Sequence, residues 1–338
     1  EDPLVKGITD FFQSNSSLKN VKVIGPGKLG ATLEGSKEFA KEFMMRHKIP
    51  TAAFLSVTPE NINQGFEFLK NNKPPFVLKA DGLAAGKGVL ILSDLEEAKK
   101  ELSDMLNGKF GQASKKVVLE EYLQGIEMSA FAITDGESYK ILPEAKDYKR
   151  IGEGDTGLNT GGMGCVSPVP FADSVFFKKV EEKVIKPTIE GLKKDNIPYI
   201  GFVFFGLMNN NGEPYVIEYN VRLGDPETEV ILPRLKNDLL EVFDAAATKN
   251  LKNITIEIDA QACVTVMLVS GGYPGEYKKG FEITGLNKTS DSIVFHAGTK
   301  LSGNSVVTNG GRVISISSLG KTFNSALEHS YKNADIIN

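Results

Sequence analysis

Residues 199–222, YIGFVFFGLM-NNNGE-PYVIEYNVR, constrain the chain more than any other stretch. Two runs rich in aromatic and β-branched residues flank a short polar turn containing Asn211-Gly212, a strong hairpin signal because both residues tolerate positive φ. The pair therefore reads as two antiparallel strands. Side chains alternate along a strand, so Glu218, Asn220 and Arg222 of the second strand share one face. Three polar side chains on one face are costly to bury without partners, so that face is read as a site rather than as core.

The residue types on that face suggest its chemistry. A carboxylate beside an amide oxygen makes a hard-oxygen pair suited to Mg²⁺ (or Mn²⁺) bridging phosphates. The planar fork of Arg222 suits a transferring phosphoryl group or an acyl phosphate.

A second phosphate signal lies in PFVLKADGLAAGKGVLILSD, residues 75–94. It differs from a Walker A loop, which has four residues between its glycines and a hydroxyl after its lysine. Here three residues separate Gly82 from Gly86, and Gly88 follows Lys87. The apolar VLILS that comes next predicts a strand, so the glycines form a flap between two strands rather than the entry to a helix. Backbone N–H groups of such a flap can cover nucleotide phosphates while Lys79, on the preceding strand, supplies a cation. Lys79 is expected to hold phosphate in every state, and Gly86 and Lys87 only when the flap closes.

Downstream, VVLEEYLQGIE is an apolar strand ending in two carboxylates and a short linker. An adenine pocket needs an acceptor for the amino group and a backbone N–H for the ring. Glu120 or Glu121 and the linker backbone can supply these, and Glu127 is placed to accept from ribose hydroxyls.

With 338 residues, 41% hydrophobic and 24% charged, the chain is long enough for two or three domains with sizeable cores. A net charge of −4 gives no basic footprint for nucleic acid or an anionic membrane surface. Cys165 and Cys263 lie far apart, and His47, His296 and His329 show no metal-ligand spacing. A cytoplasmic protein is expected, with neither signal peptide nor membrane span.

Expected elements along the chain begin with a helix over PLVKGITDFFQ, a strand at VKVIG and a turn at GPGKLG. A helix capped by Ser36 follows, with Phe39, Phe43 and Met44 on its apolar face. Asp94 and Glu97 form a capping-box pattern before a helix carrying Leu95, Ala98, Leu102 and Met105. Strands at MSAFAIT and YKILPEA lead to a glycine-rich loop, GEGDTGLNTGGMG. A long helix is expected over about 174–194, another from the GDPETE corner to about 248, and a strand-rich segment from 251 ending in a helix near 321–334.

The glycine hairpin, EEYL with Glu127, and the E-x-N strand, in this order, resemble the ATP-grasp fold, in which two α+β subdomains clamp ATP. More closely, LEGSKEFAKEFM, KADGLAAGKGV, DTGLNTGGMG and IEYNVRLGDPETE resemble the signatures of the phosphoribosylamine–glycine ligase family. That resemblance implies an ATP-dependent ligation of glycine to 5-phosphoribosylamine through glycyl phosphate, a step of purine biosynthesis needing no protein nucleophile. It implies Lys37 and Lys79 on ATP phosphates, Glu120, Glu121, Leu123 and Glu127 around adenine and ribose, Glu218 and Asn220 on the metal, and Arg222 on the transferring phosphoryl. Asp147, Lys149, Arg150, Asp155, Asn159, Thr160, Gly161 and Asp225 would surround glycine and phosphoribosylamine.

The implied organisation is α+β and α/β. Residues 1–50 would be the remnant of a Rossmann-like N-terminal domain with a connecting helix. Residues 51–123 would form the small ATP-grasp subdomain with its flap, 124–250 the large subdomain with the metal site, and 251–338 a β-rich C-terminal domain. The strand GFVFFGLM lacks the further acidic metal ligand many ATP-grasp enzymes place there, so either one ion is held mainly by phosphates or another acid such as Asp147 contributes. Membership of a longer multifunctional chain is also expected to be compatible with this sequence.

Overall fold

The computed structural model describes residues 1–84 and 88–338. The flap residues Gly86 and Lys87 therefore lie outside the described residues.

The N-terminal region is helical, in four pieces: α1 (Asp2–Val5), α2 (Ile8–Ser14), α3 (Lys28–Gly35) and α4 (Lys37–Arg46). The single first helix expected from sequence is broken at Gly7, whose φ of 89° is left-handed. Residues 21–25 form no strand, because no neighbouring strand pairs with them, and Val21 is left half exposed. GPGKLG is only partly a turn, since α3 starts at Lys28. Ser36 caps α4 as expected: its hydroxyl accepts from the Phe39 amide at 3.2 Å, and Phe43 and Met44 are buried.

A four-stranded antiparallel sheet follows, built from β1 (Phe54–Val57), β2 (Phe76–Ala80), β3 (Val89–Leu92) and β4 (Val117–Glu120) in the order β1-β4-β2-β3. Helices α5 (Ile62–Asn71) and α6 (Leu95–Asp104) cover one face, where Leu69, Ala98, Leu102 and Met105 pack on Val57, Leu78, Val117 and Leu119. Alternation along the strands puts the remaining residues, Val77 and Lys79 of β2 with Val118 and Glu120 of β4, on the opposite face. The Asp94 carboxylate caps α6 by accepting from the Glu97 amide at 2.8 Å.

The second sheet has eight strands: β5 (Ile126–Thr134), β6 (Tyr139–Gly152), β7 (Thr156–Ser167), β8 (Gly201–Asn210), β9 (Glu213–Asn220), β10 (Ala262–Val269), β11 (Ile293–His296) and β14 (Arg312–Gly320). Their order is β11-β14-β10-β7-β6-β5-β8-β9, so the sheet runs without interruption past residue 250. β10 pairs with β7 on one side and β14 on the other. A small ribbon of β12 (Thr299–Ser302) and β13 (Ser305–Thr308) stands apart, and helix α11 (Phe323–Ala334) closes the chain.

One face of this sheet (Met128, Ala130 and Ala132 of β5, Val203, Phe205 and Leu207 of β8) packs on α3, α4, α7 (Ser174–Val180) and α8 (Lys186–Lys194). A single π-turn, Glu181–Ile185, joins α7 to α8, so the long helix expected there forms with one irregular turn. The other face (Phe131, Ile133, Phe204) packs on the segment after β9. That segment is two helices, α9 (Thr228–Ile231) and α10 (Leu239–Ala247), instead of the single expected helix. Pro233 lies in a 3-10 turn between them, where a proline ring and its missing N–H break the α-helical ladder.

The largest difference from expectation is the glycine-rich stretch 152–164. Apart from a turn at 153–155 it is strand: Gly152 ends an extended β6, and β7 pairs with it from Thr156, so that Gly152 opposes Thr156, Arg150 opposes Asn159, and Tyr148 opposes Gly164. Glycine carries little strand signal, and Gly157 (φ 81°) and Gly162 (φ 114°) coincide with register shifts rather than with a loop. Among the described residues no helix is long and apolar enough to cross a membrane.

Candidate functional site

The site residues of β9 owe their direction to a bulge. Leu207 opposes Val216 while Gly206 opposes Glu218, so one extra residue, Ile217, sits in β9. Val216, Tyr219 and Val221 all enter the same core, a spacing that strict alternation would forbid. The phase change turns Glu218 and Asn220 to the opposite face; without it they would be buried under α3 and α4. Gly206 leaves room for this: a Cβ there would stand 3.3 Å from Glu218 Cγ.

Glu218 is exposed and, among the described residues, makes no ion pair; Asn220 Oδ1 accepts from Arg222 Nη2 at 3.3 Å. A free carboxylate beside an amide oxygen fits a divalent cation. Among the described residues no group of three or more His, Cys, Asp or Glu gathers around one point. Asp147 is instead engaged at 3.4 Å by Lys149.

Arg222 is moored from behind. Its Nη2 lies 3.0 Å from Glu34 Oε1 and 2.5 Å from Glu1 Oε1, and Glu34 Oε2 accepts from the Val221 amide at 2.9 Å. Burial pushes the Glu34 carboxyl up, against the opposing pull of the Arg222 charge and the Val221 hydrogen bond.

On the small sheet, Lys79 and Glu120 meet at 3.0 Å, both almost fully buried. A second lysine, Lys41 of α4, takes the other carboxylate oxygen at 2.8 Å. Lys79 also donates to the Ile217 carbonyl at 3.3 Å, at the bulge of β9. Lys41 donates to Thr51 Oγ1 at 2.8 Å, and Thr51 donates to the Val216 carbonyl at 2.7 Å. The two sheets are thus joined by polar contacts one and two residues before Glu218. The two lysines outweigh burial and hold Glu120 below its usual range, while burial brings Lys41 down to about 8.

Glu121, exposed, and Leu123, half-buried, lie on the linker between the sheets, and Glu127, exposed, is the second residue of β5. Lys37 opens α4, and its amide donates to the Asp81 carbonyl at 3.2 Å. The Asp81 side chain meanwhile accepts from the Glu38 amide and Ser36 hydroxyl at 2.8 and 2.9 Å. The KADG segment is therefore tied to the start of α4.

Lys149 Nζ lies 3.2 Å from Glu127 Oε2, which brings a residue expected at the substrates to one expected at ribose. Burial would lower the Lys149 pKa, but Asp147, Glu127 and Glu218 together raise it. Arg150 is spent within the hairpin, donating to the Gly157 carbonyl at 2.7 Å. Thr160 Oγ1 donates to the Lys149 carbonyl at 2.8 Å, and Asn159 is exposed beside it. Gly161 meets Asp225 through Arg312, whose Nη1 reaches the Gly161 carbonyl at 2.8 Å and Asp225 Oδ1 at 2.9 Å. Asp155 lies at the hairpin turn, with φ 59°.

Sequence reasoning missed Lys41, Glu34, Arg312, Tyr273 and Glu227. The Tyr273 hydroxyl accepts from the Gly161 amide at 3.0 Å. Glu227 is buried and accepts from Ser129 Oγ at 3.3 Å, and burial with the nearby Asp147 raises it to about 7. One signal was available: Lys41 falls between the apolar positions Ala40, Phe43 and Met44 of α4, where a charge requires a partner.

The phosphoribosylglycinamide synthetase ATP-grasp (A) domain family matches residues 35–228, and the C domain of the same synthetase matches residues 263–338. A phosphoribosylamine–glycine ligase of Caldanaerobacter subterraneus subsp. tengcongensis is 44% identical over all of this chain and 80% of its own. A bifunctional purine biosynthetic protein of Pichia angusta is also 44% identical over the whole chain, which spans 42% of that longer protein. The crystal structure of a phosphoribosylamine–glycine ligase from Thermotoga maritima superposes with a TM-score of 0.87 at 40% identity, covering 98% of this chain and 81% of that one. With both domains matched and the identity sustained from end to end, the chain has the ATP-grasp fold and belongs to the phosphoribosylglycinamide synthetase, or phosphoribosylamine–glycine ligase, family.

Proposed function

We propose that this chain joins glycine to 5-phosphoribosylamine at the expense of ATP, giving glycinamide ribonucleotide, ADP and phosphate. The names of its relatives support the reading. One observation carries it: Lys79, the strand cation, donates to the carbonyl of Ile217, immediately before the hard-oxygen residue Glu218. A phosphate-facing cation and a metal-facing carboxylate thus belong to one junction between two sheets.

A free carboxylate is a poor electrophile, so glycine must be activated. The γ-phosphoryl passes to a glycine carboxylate oxygen, forming glycyl phosphate and releasing ADP. The amine of phosphoribosylamine then attacks the carbonyl carbon, the C–O bond to phosphate breaks, and a proton is lost as the amide forms. Catalysis of this kind is positioning and charge neutralisation. Lys37 and Lys79 bring cations to the ATP phosphates, and Glu120, Glu121, Leu123 and Glu127 frame adenine and ribose. Arg222, steadied by Glu34, faces the transferring phosphoryl. Glu218 and Asn220 would hold a divalent cation, which would neutralise charge on the phosphate oxygens.

Asp147, Lys149 and Asp225, with the β6–β7 hairpin, would surround glycine and phosphoribosylamine. The same segment within a longer bifunctional relative is compatible with this activity as one part of a larger chain. The test is phosphate release measured with each substrate left out in turn. Dependence on ATP, glycine and phosphoribosylamine together supports the assignment, and turnover with bicarbonate in place of glycine overturns it.

A further inference from the structure

Lys79 and Glu120 alone would neutralise each other. Their side chains are only 6% and 4% exposed, so Lys79 would have little charge to offer a phosphate. The structure adds a third member, Lys41, with a side chain 2% exposed. It takes Glu120 Oε2 at 2.8 Å, leaving Oε1 to Lys79 at 3.0 Å. Two ammonium groups on one carboxylate leave the cluster with a net positive charge. A buried ion is costly unless its partners are well placed, so each member fixes the position of the others. Lys41 is fixed in turn by Thr51 Oγ1 at 2.8 Å, whose own proton goes to the Val216 carbonyl.

We propose that Lys41 is a positioning residue for nucleotide binding: by occupying one oxygen of Glu120 it frees the charge of Lys79 for phosphate and sets where Lys79 stands against the bulge of β9. The inference rests on the nucleotide-facing reading of Lys79 and Glu120, and deepens it. A merely structural lysine would stabilise the fold without altering how Glu120 and Lys79 meet a nucleotide.

The experiment is a double-variant cycle on the full chain, with ADP binding by calorimetry and the KM values for ATP and glycine as readouts. Lys41→Met weakens ADP binding and raises the ATP KM by about tenfold or more, the scale of a lost charged hydrogen bond, while the glycine KM stays within about twofold. Lys41→Arg recovers part of the ADP affinity. Glu120→Gln costs less in the Lys41→Met background than alone, because the two residues act as a unit. Unchanged ADP binding in Lys41→Met, or effects of Lys41 and Glu120 that simply multiply, overturns the proposal. If Lys41→Met does not fold, Lys41→Gln decides: weaker ADP binding at an unchanged melting temperature supports the proposal, and unchanged binding overturns it. Lys79→Met separates the two levels. Unaltered ADP affinity there removes the nucleotide reading itself, whereas a weakened Lys79→Met beside a normal Lys41→Met removes only the role of Lys41.

Discussion

Arg222 Nη2 stands 3.0 Å from Glu34 Oε1, so the guanidinium that leaves β9 is held by a carboxylate of α3, 188 positions earlier in the chain. Glu34 is buried, whereas the Arg222 side chain is about one-third exposed. Removing the arginine therefore leaves the more buried partner uncompensated.

Arg222→Met should accordingly cost stability as well as activity. The expected loss is about 3 kcal/mol at pH 8 by the usual cost of orphaning a buried charge. Because burial raises the Glu34 carboxyl, lowering the pH protonates it and shrinks the loss. Denaturant unfolding of both proteins at pH 8 and pH 5 measures this. An equal loss at the two values contradicts the assignment.

Glu218→Ala should do the reverse. Among the described residues Glu218 makes no ion pair, and it is exposed, so the fold should change by no more than about 0.5 kcal/mol. Turnover should fall by at least about a hundredfold if this carboxylate holds the catalytic cation. Steady-state kinetics across a range of Mg²⁺ concentrations, beside a thermal melt, test both halves. Near-normal turnover would mean the metal is held elsewhere.

Glu227 gives a pH signature. Its carboxyl is raised from 4.5 to about 7 in the folded state, by burial first and the charge of Asp147 second. Between those values the folded state binds the extra proton, so the group's penalty is absent below pH 4.5 and complete above pH 7. Glu227→Gln, which keeps an acceptor for Ser129, should match the wild type at pH 4 and exceed it by about 3 kcal/mol at pH 8. Paired urea titrations at these two values read the difference directly.

Gly224 protects the same carboxylate. A Cβ at this position would lie 2.2 Å from Glu227 Oε2 and 3.0 Å from Phe204 Cε2. Gly224→Ala should therefore destabilise by about 1–3 kcal/mol through overpacking. In the Glu227→Ala background the same change should cost much less, and equal costs in the two backgrounds would rule out this clash.

The sequence made the architecture legible where local patterns were strong. Asn211-Gly212 announced the β8–β9 hairpin, and the caps at Ser36 and Asp94 marked their helices. Side-chain alternation also placed Glu218, Asn220 and Arg222 together, and Arg222 does touch Asn220. Their shared face depends on parity, but which way that face points depends on the bulge at Ile217, and no local residue pattern marks a bulge. Residues 152–164 carry the local signature of a loop, because the strand character of β7 comes from its partner rather than from its glycines. Glu34, Lys41 and Arg312 lie 188, 79 and 87 positions from the partners Arg222, Glu120 and Asp225, so their pairing is visible only after folding.

The uninterrupted sheet has a practical consequence for anyone trimming this protein. A cut near residue 250, although it falls between the two matched domains, would strip β10 from β7 and leave the Gly164–Ser167 ladder with open N–H and C=O groups. Such a raw edge, bearing Cys165 and Val166, invites the next molecule to dock strand on strand. The C-terminal segment thus acts as the bandage that keeps the ATP-grasp sheet from polymerising, and shortened versions of the chain should be sought with β10 and β14 retained.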